Sequence, residues 1–363
     1  MAEQGRGLLP GLHGLRATAA LMVVLFHLHA IANLAVPAFA PWIATHFGLG
    51  VHLFFALSAF ALAWANPHAA ERPLPYLIKR VFRIGPLYWL LLAAILFRSG
   101  WPGLRRLGTE VTFAFNFVPG WHGGLVPAGW TLGVEMPFYL LLPLLLRIRS
   151  IHGMALAAIL ATGFSYGARR LLEARLPDSD YAACSLASNL WVFVLALLAF
   201  RVFERVRDTS RAGPAAGLAA ALAVGLLAFL LSPLAAPLAG PGNLDILLFG
   251  LGFAGLCLWQ ALRPSRLLAS RAALWLGERS YSIYLFHFLV TLALRPVYAR
   301  VVEALGQGGL TFLACFAITM LPLCLAAAIG YRFVEQPGIA LGRWVIGRLG
   351  ARLPTPAGRL ATR

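Results

Sequence analysis

Long apolar segments separated by short loops constrain the fold of this chain more than any other feature. A membrane-spanning helix needs roughly 20 mostly apolar residues, and within lipid such a segment must satisfy its own backbone hydrogen bonds, so it forms a helix. The sequence therefore predicts an all-α, polytopic membrane protein with about ten transmembrane helices. The ten segments lie at residues 12–33, 47–66, 82–98, 127–146, 152–168, 184–200, 214–233, 244–262, 280–298 and 309–331.

Composition excludes a soluble globular protein. Of the 363 residues, 60% are hydrophobic and 12% are charged, whereas soluble domains are about 45–50% apolar and about 25% charged. The formal net charge is +17, but the basic residues lie between apolar segments and do not cluster on a polar face, as nucleic-acid binding requires. We therefore expect a lipid bilayer as a partner and no nucleic acid.

The distribution of basic residues predicts the orientation in the membrane. With the N-terminus in the cytoplasm, 22 of the 30 Lys and Arg residues fall at cytoplasmic loops and helix ends, and eight fall in outer loops. Cytoplasmic loops of membrane proteins carry an excess of these residues, so both termini are predicted to be cytoplasmic. We expect a membrane domain over residues 1–337 and a basic cytoplasmic tail over residues 338–363.

The four cysteines, Cys184, Cys257, Cys315 and Cys324, all lie in apolar segments, and none forms a CxxC pair. This pattern favours packed thiols over a disulfide framework or a zinc site. The histidines at positions 13, 27, 29 and 52 do not follow a metal-ligand pattern either. We therefore expect no metal site.

Ionisable residues inside apolar segments are costly, so each one is a candidate for function. Arg16 and His27 are the sharpest pair, because a spacing of 11 residues places both side chains on one helix face, about 16 Å apart along the axis. The alternative is an arginine that reaches the membrane surface and a hydrogen-bonded core histidine. The alignment of the two favours a functional role.

Two further sets of polar residues have both a structural and a functional interpretation. Arg80 and Arg83 share a helix face at i and i+3 and are suited either to anchoring at the cytoplasmic surface or to capturing a phosphate. Glu135 must be paired or neutral when buried, either in a structural ion pair or in a functional site, and function is slightly favoured.

A late segment, LGERSYSIYLFHF, is dense in hydroxyl groups. Ser280, Tyr284 and His287 lie at i, i+4 and i+7 on one helix face, with Ser282 close by. Hydrogen bonding between helices accounts for Ser280 and Ser282 at least as well as a functional role does. The functional alternative is contact with an oxyanion or with an acceptor substrate.

Six segments, in order along the chain, resemble motifs of the acyltransferase 3 family of integral membrane acyltransferases. They are GLHGLRATAALMVVLFHLH, GVHLFFALSAFALA, RVFRIGPLYW, GWTLGVEMPFYLLLP, LGERSYSIYLFHF and YRFVEQP. The resemblance covers residues from about 10 to 337. The chain departs from the family pattern at four positions, His52, Ala59, Thr131 and Phe286, and these departures leave the implied chemistry intact.

The resemblance implies transfer of an acyl group, commonly acetyl, from acyl-CoA to a hydroxyl, usually of a carbohydrate. It makes residues 1–337 an acyltransferase domain, in a bacterial inner membrane. His27 corresponds to the catalytic histidine with Arg16 as its companion, and Arg80 and Arg83 to the acyl-donor pair. Glu135 corresponds to the family's buried glutamate, and Ser280, Ser282 and Tyr284 match the late hydroxyl block. Acyl-CoA is expected as a co-substrate, with no bound cofactor.

We hypothesise that neutral His27 acts as a general base on the acceptor hydroxyl, while Glu135 either orients it or stabilises the imidazolium. An acyl-histidine intermediate is the rival route. A proton-coupled transporter of a lipid-linked or small polar molecule is the alternative from another class, because buried Arg, His and Glu also suit a proton relay. The acceptor stays open among cell-surface glycans and small molecules.

Overall fold

The computed structural model describes residues 7–177, 179–238 and 244–350, and in this part of the chain every regular element is a helix. The α-helices are α1 (Pro10–Ala32), α2 (Trp42–His46), α3 (Gly50–Ala65), α4 (Pro73–Ser99), α5 (Leu104–Val111), α6 (Trp130–Leu145), α7 (Ile151–Arg175), α8 (Tyr181–Cys184), α9 (Leu186–Val206), α10 (Ala212–Leu230), α11 (Leu244–Leu262), α12 (Arg271–Glu278), α13 (Ser280–Ala293), α14 (Arg295–Leu305), α15 (Gly309–Gly330) and α16 (Gln336–Gly350). Short 3₁₀ helices form at Phe47–Leu49, Ala114–Phe117 and Pro233–Leu238, and a π-helix forms at Tyr331–Glu335.

Eight helices within the described residues are long and apolar enough to cross a membrane, which confirms an all-α, multi-pass membrane protein. They are Pro10–Ala32, Trp42–Ala65, Pro73–Ser99, Ile151–Arg175, Tyr181–Val206, Ala212–Leu230, Leu244–Leu262 and Gly309–Leu349. The pair α13 and α14 also passes this test when the two are joined, but it is bent by 61°. Helix α6 is apolar and shorter, with 16 residues.

Three predicted segments differ from the observed helices for local reasons. Helix α4 begins at Pro73, nine residues before the predicted 82–98, because proline suits the first helical turn. Helix α7 continues past the predicted 152–168 to Arg175, through a charged turn that includes the Arg169–Glu173 pair. The predicted segment 280–298 is broken after Ala293, and Pro296, in the first turn of α14, cannot continue a helix from the preceding turn.

Helix α15, the π-helix and α16 follow one another without a break and count as one candidate membrane span. The predicted segment 309–331 continues through the π-helix into α16, which ends at Gly350. The predicted boundary between residues 337 and 338 therefore falls inside a helix, while residues 351–363 lie outside the described residues. The division into a membrane domain and a tail stays a prediction.

Helix α1 lies at the centre of the bundle, where glycine allows backbones to approach closely. A Cβ on Gly14 would collide with the carbonyl oxygen of Leu268, and a Cβ on Gly277 would collide with that of His13. Small residues at helix interfaces permit this kind of contact in membrane proteins. The packing fixes α1, which carries two candidate site residues, against α12 and the segment before it.

Helix α16 packs against α4 at a carbonyl that proline leaves free. Pro86 cannot donate a backbone hydrogen bond to the carbonyl of Phe82 one turn earlier. Gly338 of α16 lies against this carbonyl, and a Cβ there would be 2.7 Å from the oxygen. The contact places the π-helix just before α16 beside the arginines of α4.

Candidate functional site

A cavity opens among α1, α3, α4, α6 and α13. Six of the nine predicted site residues line it: Arg16, Arg80, Arg83, Glu135, Ser280 and Tyr284. The remaining lining residues are Val51, Phe54, Ser58, Leu62, Ile84, Thr131, Leu132, Tyr139 and Tyr281. The structure thus brings side chains that are more than 260 positions apart in sequence into one space.

The cavity carries an excess of positive charge. Arg83 forms an ion pair with Glu335, with 2.9 Å between Nη1 and Oε2. Among the described residues, neither Arg16 nor Arg80 has a carboxylate within ion-pair distance, and Nε of Arg80 is buried without a hydrogen-bond partner. Charges inside a membrane protein are normally paired. Three arginines and one glutamate, Glu135, line the cavity, and this excess of positive charge favours an anionic ligand.

Glu135 is held by hydroxyl groups. Its side chain accepts hydrogen bonds from Tyr139 Oη at 2.6 Å and from Ser58 Oγ at 3.1 Å, and it is only 9% exposed. In the described part of the chain, its hydrogen bonds do not reach His27 and it forms no ion pair with arginine. The expected arrangement in which Glu135 orients His27 is therefore not the one observed.

The orienting partner of His27 is a second histidine. His27 Nδ1 lies 3.0 Å from the carbonyl oxygen of Val23 and 3.2 Å from His287 Nε2, and the two rings are 4.8 Å apart. His287 Nδ1 contacts the carbonyl oxygen of Tyr284. His287 was predicted as a contact of an oxyanion or acceptor, but in this structure it contacts His27.

The hydrogen-bond network assigns the protons of the two neutral rings. A carbonyl oxygen only accepts, so each Nδ1 carries a hydrogen. His287 Nε2 then accepts from His27 Nδ1–H, and the lone pair of His27 lies on Nε2. The network therefore presents one defined basic nitrogen, Nε2 of His27.

Tyr284 contacts both the cavity and the His27–His287 pair. Its ring lines the cavity, and its backbone carbonyl accepts from His287. Its hydroxyl donates to the carbonyl of Ala128 at 2.8 Å and accepts from Thr131 at 3.0 Å. His27, Ser282 and His287 are outside the cavity lining, so Tyr284 is the link between the cavity and the histidine pair.

Ser282 contacts Glu335, which was not among the predicted site residues. Its hydroxyl donates to Glu335, which is fully buried and pairs with Arg83. Glu335 ends the π-helix, and such irregular turns occur frequently at functional sites. The resemblance of YRFVEQP to a family motif was the signal that could have identified Glu335.

Ser58 and Tyr139 were also absent from the predicted site. Tyr139 follows Glu135 by four residues, so the helical spacing could have indicated their contact. Ser58 lies 77 residues from Glu135 along the chain, and its contact depends on packing between α3 and α6.

Comparison with known proteins identifies the class of this protein. The model of the acyltransferase domain matches residues 9–329, and the chain belongs to the acyltransferase 3 family. It is 24% identical over 370 residues to the O-acetyltransferase OatA of Staphylococcus aureus, an alignment that covers 91% of this chain and 57% of OatA. The chain therefore spans little more than half the length of that relative.

A second relative matches over a shorter region. The exopolysaccharide production protein ExoZ of Rhizobium meliloti is 30% identical over 127 residues, which cover 31% of this chain and 40% of ExoZ. No solved structure matches the chain. The family match and the similarity to OatA support an acyltransferase enzyme within a multi-pass membrane protein.

Proposed function

We propose that this protein transfers an acyl group, with acetyl expected, from acyl-CoA to a hydroxyl of a carbohydrate. The observation that supports this most is the cavity, where two arginines have no ion-pair partner among the described residues and Tyr284 links the lining to the His27–His287 pair. OatA is named an O-acetyltransferase and ExoZ an exopolysaccharide production protein. These names favour acetyl as the group and a surface or exported glycan as the acceptor.

The arginines suit the donor because coenzyme A carries several phosphate charges. Guanidinium groups bind phosphate oxygens through paired, charge-assisted hydrogen bonds. Arg16 and Arg80 supply the free positive charge, while Arg83 is held in place by Glu335. The acyl end must then pass Tyr284 to reach Nε2 of His27, so we infer that donor binding shifts this ring.

His27 is proposed as the general base. Its Nε2 takes the proton of the acceptor hydroxyl as the hydroxyl oxygen attacks the thioester carbonyl. The tetrahedral intermediate then expels the thiolate of coenzyme A, which receives the proton from His27. His287 accepts a hydrogen bond from Nδ1–H throughout and stabilises the transient imidazolium.

The hydroxyl groups of α13 differ in whether their hydrogens are free to bind the oxyanion of the tetrahedral intermediate. The hydrogen of Tyr284 is engaged by Ala128, and that of Ser282 by Glu335. Ser280 lines the cavity. Ser280 lies seven residues, about two helical turns, before His287, so we place it at the donor-binding end of the cavity, and we assign Ser282 to the support of Glu335.

The rival route passes through an acyl group on His27. In that case Nε2 attacks the thioester, coenzyme A departs first, and the acceptor hydroxyl then displaces the histidine. Initial-rate kinetics with both substrates varied separate the two routes. Intersecting double-reciprocal lines support the single-step transfer, and parallel lines support the acyl-histidine.

We propose a ten-span topology with both termini in the cytoplasm, in the inner membrane of a bacterium. The eight candidate spans, the bent pair α13 and α14, and the short helix α6 supply the ten crossings. Arg16, Arg80 and Arg83 then lie toward the cytoplasm, where acyl-CoA is available. Fluorescence of a green fluorescent protein fused after residue 363 tests this topology, since the fusion fluoresces only on the cytoplasmic side.

The direct test of the function is release of free thiol from acetyl-CoA by the purified protein in detergent, with crude glycan acceptors. We expect release by wild type and loss of release in His27→Ala. His152→Ala is the matched control, because His152 is exposed on α7. Absence of release with short and long acyl-CoA donors, combined with proton-coupled flux in proteoliposomes, would replace this proposal with a transporter.

A further inference from the structure

Three side chains with different ligand atoms meet away from the cavity. His122 lies in the loop between α5 and α6, Asp180 directly precedes α8, and Cys184 ends α8. One nitrogen, one carboxylate oxygen and one sulfur from these residues lie within 4.8 Å of one another. We propose that His122, Asp180 and Cys184 bind a zinc ion, independently of the proposed transfer reaction.

The backbone around Cys184 is fixed by an asparagine. Asn116 Nδ2 donates to the carbonyl of Cys184 at 2.8 Å, and Asn116 Oδ1 accepts from the backbone N–H of Leu186 at 3.0 Å. Cys184 N–H also donates to the carbonyl of Asp180 at 3.1 Å, which closes one helical turn. Asp180 and Cys184 are therefore at i and i+4, a spacing that places two ligands on one face.

The third ligand is held in a buried position. The side chain of His122 is 8% exposed, and its Nε2 lies 2.7 Å from Oδ1 of Asp180. Its Nδ1 is buried, without a hydrogen-bond partner in the described part of the chain. An unsatisfied buried nitrogen is unfavourable, and Nδ1 can take up the ring hydrogen when a metal ion binds Nε2.

The donor set matches the preferences of zinc. Imidazole nitrogen, thiolate sulfur and carboxylate oxygen are its usual protein ligands, at about 2.0–2.3 Å in tetrahedral sites. These distances place ligand atoms about 3.5 Å apart, so a small closure of the cluster is sufficient. Zinc takes the place of the hydrogen on Nε2 of His122, this hydrogen moves to Nδ1 of the same ring, and the thiol proton of Cys184 passes to solvent.

The surroundings leave a position for a fourth ligand. The side chain of Asp180 is 78% exposed, so water can complete the coordination. Arg169, whose charge acts on Cys184, is itself paired with Glu173 at 2.9 Å. A bound ion would join the loop before α6 to the junction of α8 and α9, and would therefore stabilise that side of the bundle.

This proposal departs from the sequence expectation of packed thiols and no metal site. His122 and Asp180 are separated by 58 residues, so no short spacing motif indicates the cluster. The four-residue spacing from Asp180 to Cys184 places the two side chains on one face only if the chain forms a helical turn there, which the sequence does not indicate.

The test is metal uptake by the full chain, purified in detergent with a tag that contains no histidine. After treatment with a chelator, Co²⁺ is added and the thiolate-to-cobalt charge-transfer absorption is followed. We expect one Co²⁺ per chain, displaced by Zn²⁺. Cys184→Ser should lose the absorption band, and His122→Gln should weaken binding by at least about tenfold. Cys324→Ser, which changes a half-buried cysteine on α15, should bind normally.

A second measurement on the wild-type chain does not depend on variants that fold. Alkylation of each cysteine by a maleimide is followed by mass spectrometry with and without Zn²⁺. We expect Zn²⁺ to slow alkylation of Cys184 by roughly tenfold or more and to leave Cys324 unchanged. Less than stoichiometric Co²⁺ uptake, or equal alkylation of Cys184 with and without Zn²⁺, would show a simple His–Asp hydrogen bond beside a free thiol.

Discussion

The two ends of α1 show contrasting electrostatics. At Arg16, the cavity contains two guanidinium groups, those of Arg16 and Arg80, without an ion-pair partner among the described residues. At His27, the ring nitrogens are organised by a backbone carbonyl and by His287. The charge of Arg16 and Arg80 would be neutralised by a bound anion, whereas the ring of His27 is already held by hydrogen bonds within the protein. The contrast is the basis of our proposal that the donor binds at one end of the helix and the chemistry takes place at the other.

The largest effect is expected from His27→Asn. Asparagine can still donate near the position of Nδ1 to Val23 and His287, but it has no atom in place of Nε2. We expect kcat to fall by about 10²–10⁴-fold, the typical contribution of a positioned base. The apparent affinity for acetyl-CoA should not change, because His27 is outside the cavity lining. An unchanged kcat would exclude His27 as the base.

Arg16→Gln is expected to have the opposite signature. Loss of one charge-assisted contact to phosphate should raise the dissociation constant of acetyl-CoA by about 10–100-fold. Once the donor is saturating, kcat should be close to that of wild type. Arg175→Gln, an exposed position at the end of α7, is the control. Equal losses in both variants would indicate a general effect of surface charge.

A smaller effect is expected at the partner of His27. His287→Leu removes the acceptor for Nδ1–H and should lower kcat by about tenfold, the scale of one hydrogen bond to a charged group. His287→Gln places an amide oxygen near the same position and should recover most of the rate. If leucine and glutamine variants behave alike, the role of His287 is in packing.

The smallest effect is expected from changes to Glu335 and Ser282, which hold Arg83 in position. Glu335→Gln and Ser282→Ala should each raise KM for acetyl-CoA by about three- to tenfold and leave kcat nearly constant, because both act through the position of Arg83. The double variant should be no worse than Glu335→Gln alone, since the residues form one network. Additive losses would show that Ser282 has a separate role.

The helical framework was largely predictable, because apolar length alone determines a membrane span. The segment 244–262 coincides with α11. The start of α4 was missed because its first turns contain Lys79 and Arg80, which lower local hydrophobicity without preventing a helix. The bend between α13 and α14 accompanies Pro296 in the first turn of α14, a signal that the apolar length of the segment concealed.

Helical spacing predicted only part of the candidate site, since His27 and His287 share helix faces with lining residues but are outside the lining. Helical spacing aligned Ser280 with Tyr284, and both line the cavity. Contacts between helices were not predictable, because spacing along the chain contains no information on packing. Glu135 is bound by Ser58, and His27 by His287, which is 260 residues away.

The most direct test of the division along α1 compares His27→Asn and Arg16→Gln in one experiment. Binding of a non-reactive thioether analogue of acetyl-CoA is measured by calorimetry, and turnover of acetyl-CoA is measured on the same preparations. We predict that His27→Asn binds the analogue like wild type and has lost turnover, while Arg16→Gln binds weakly and turns over at saturation. Loss of analogue binding in His27→Asn, to the same degree as in Arg16→Gln, would contradict the separation of donor binding from chemistry.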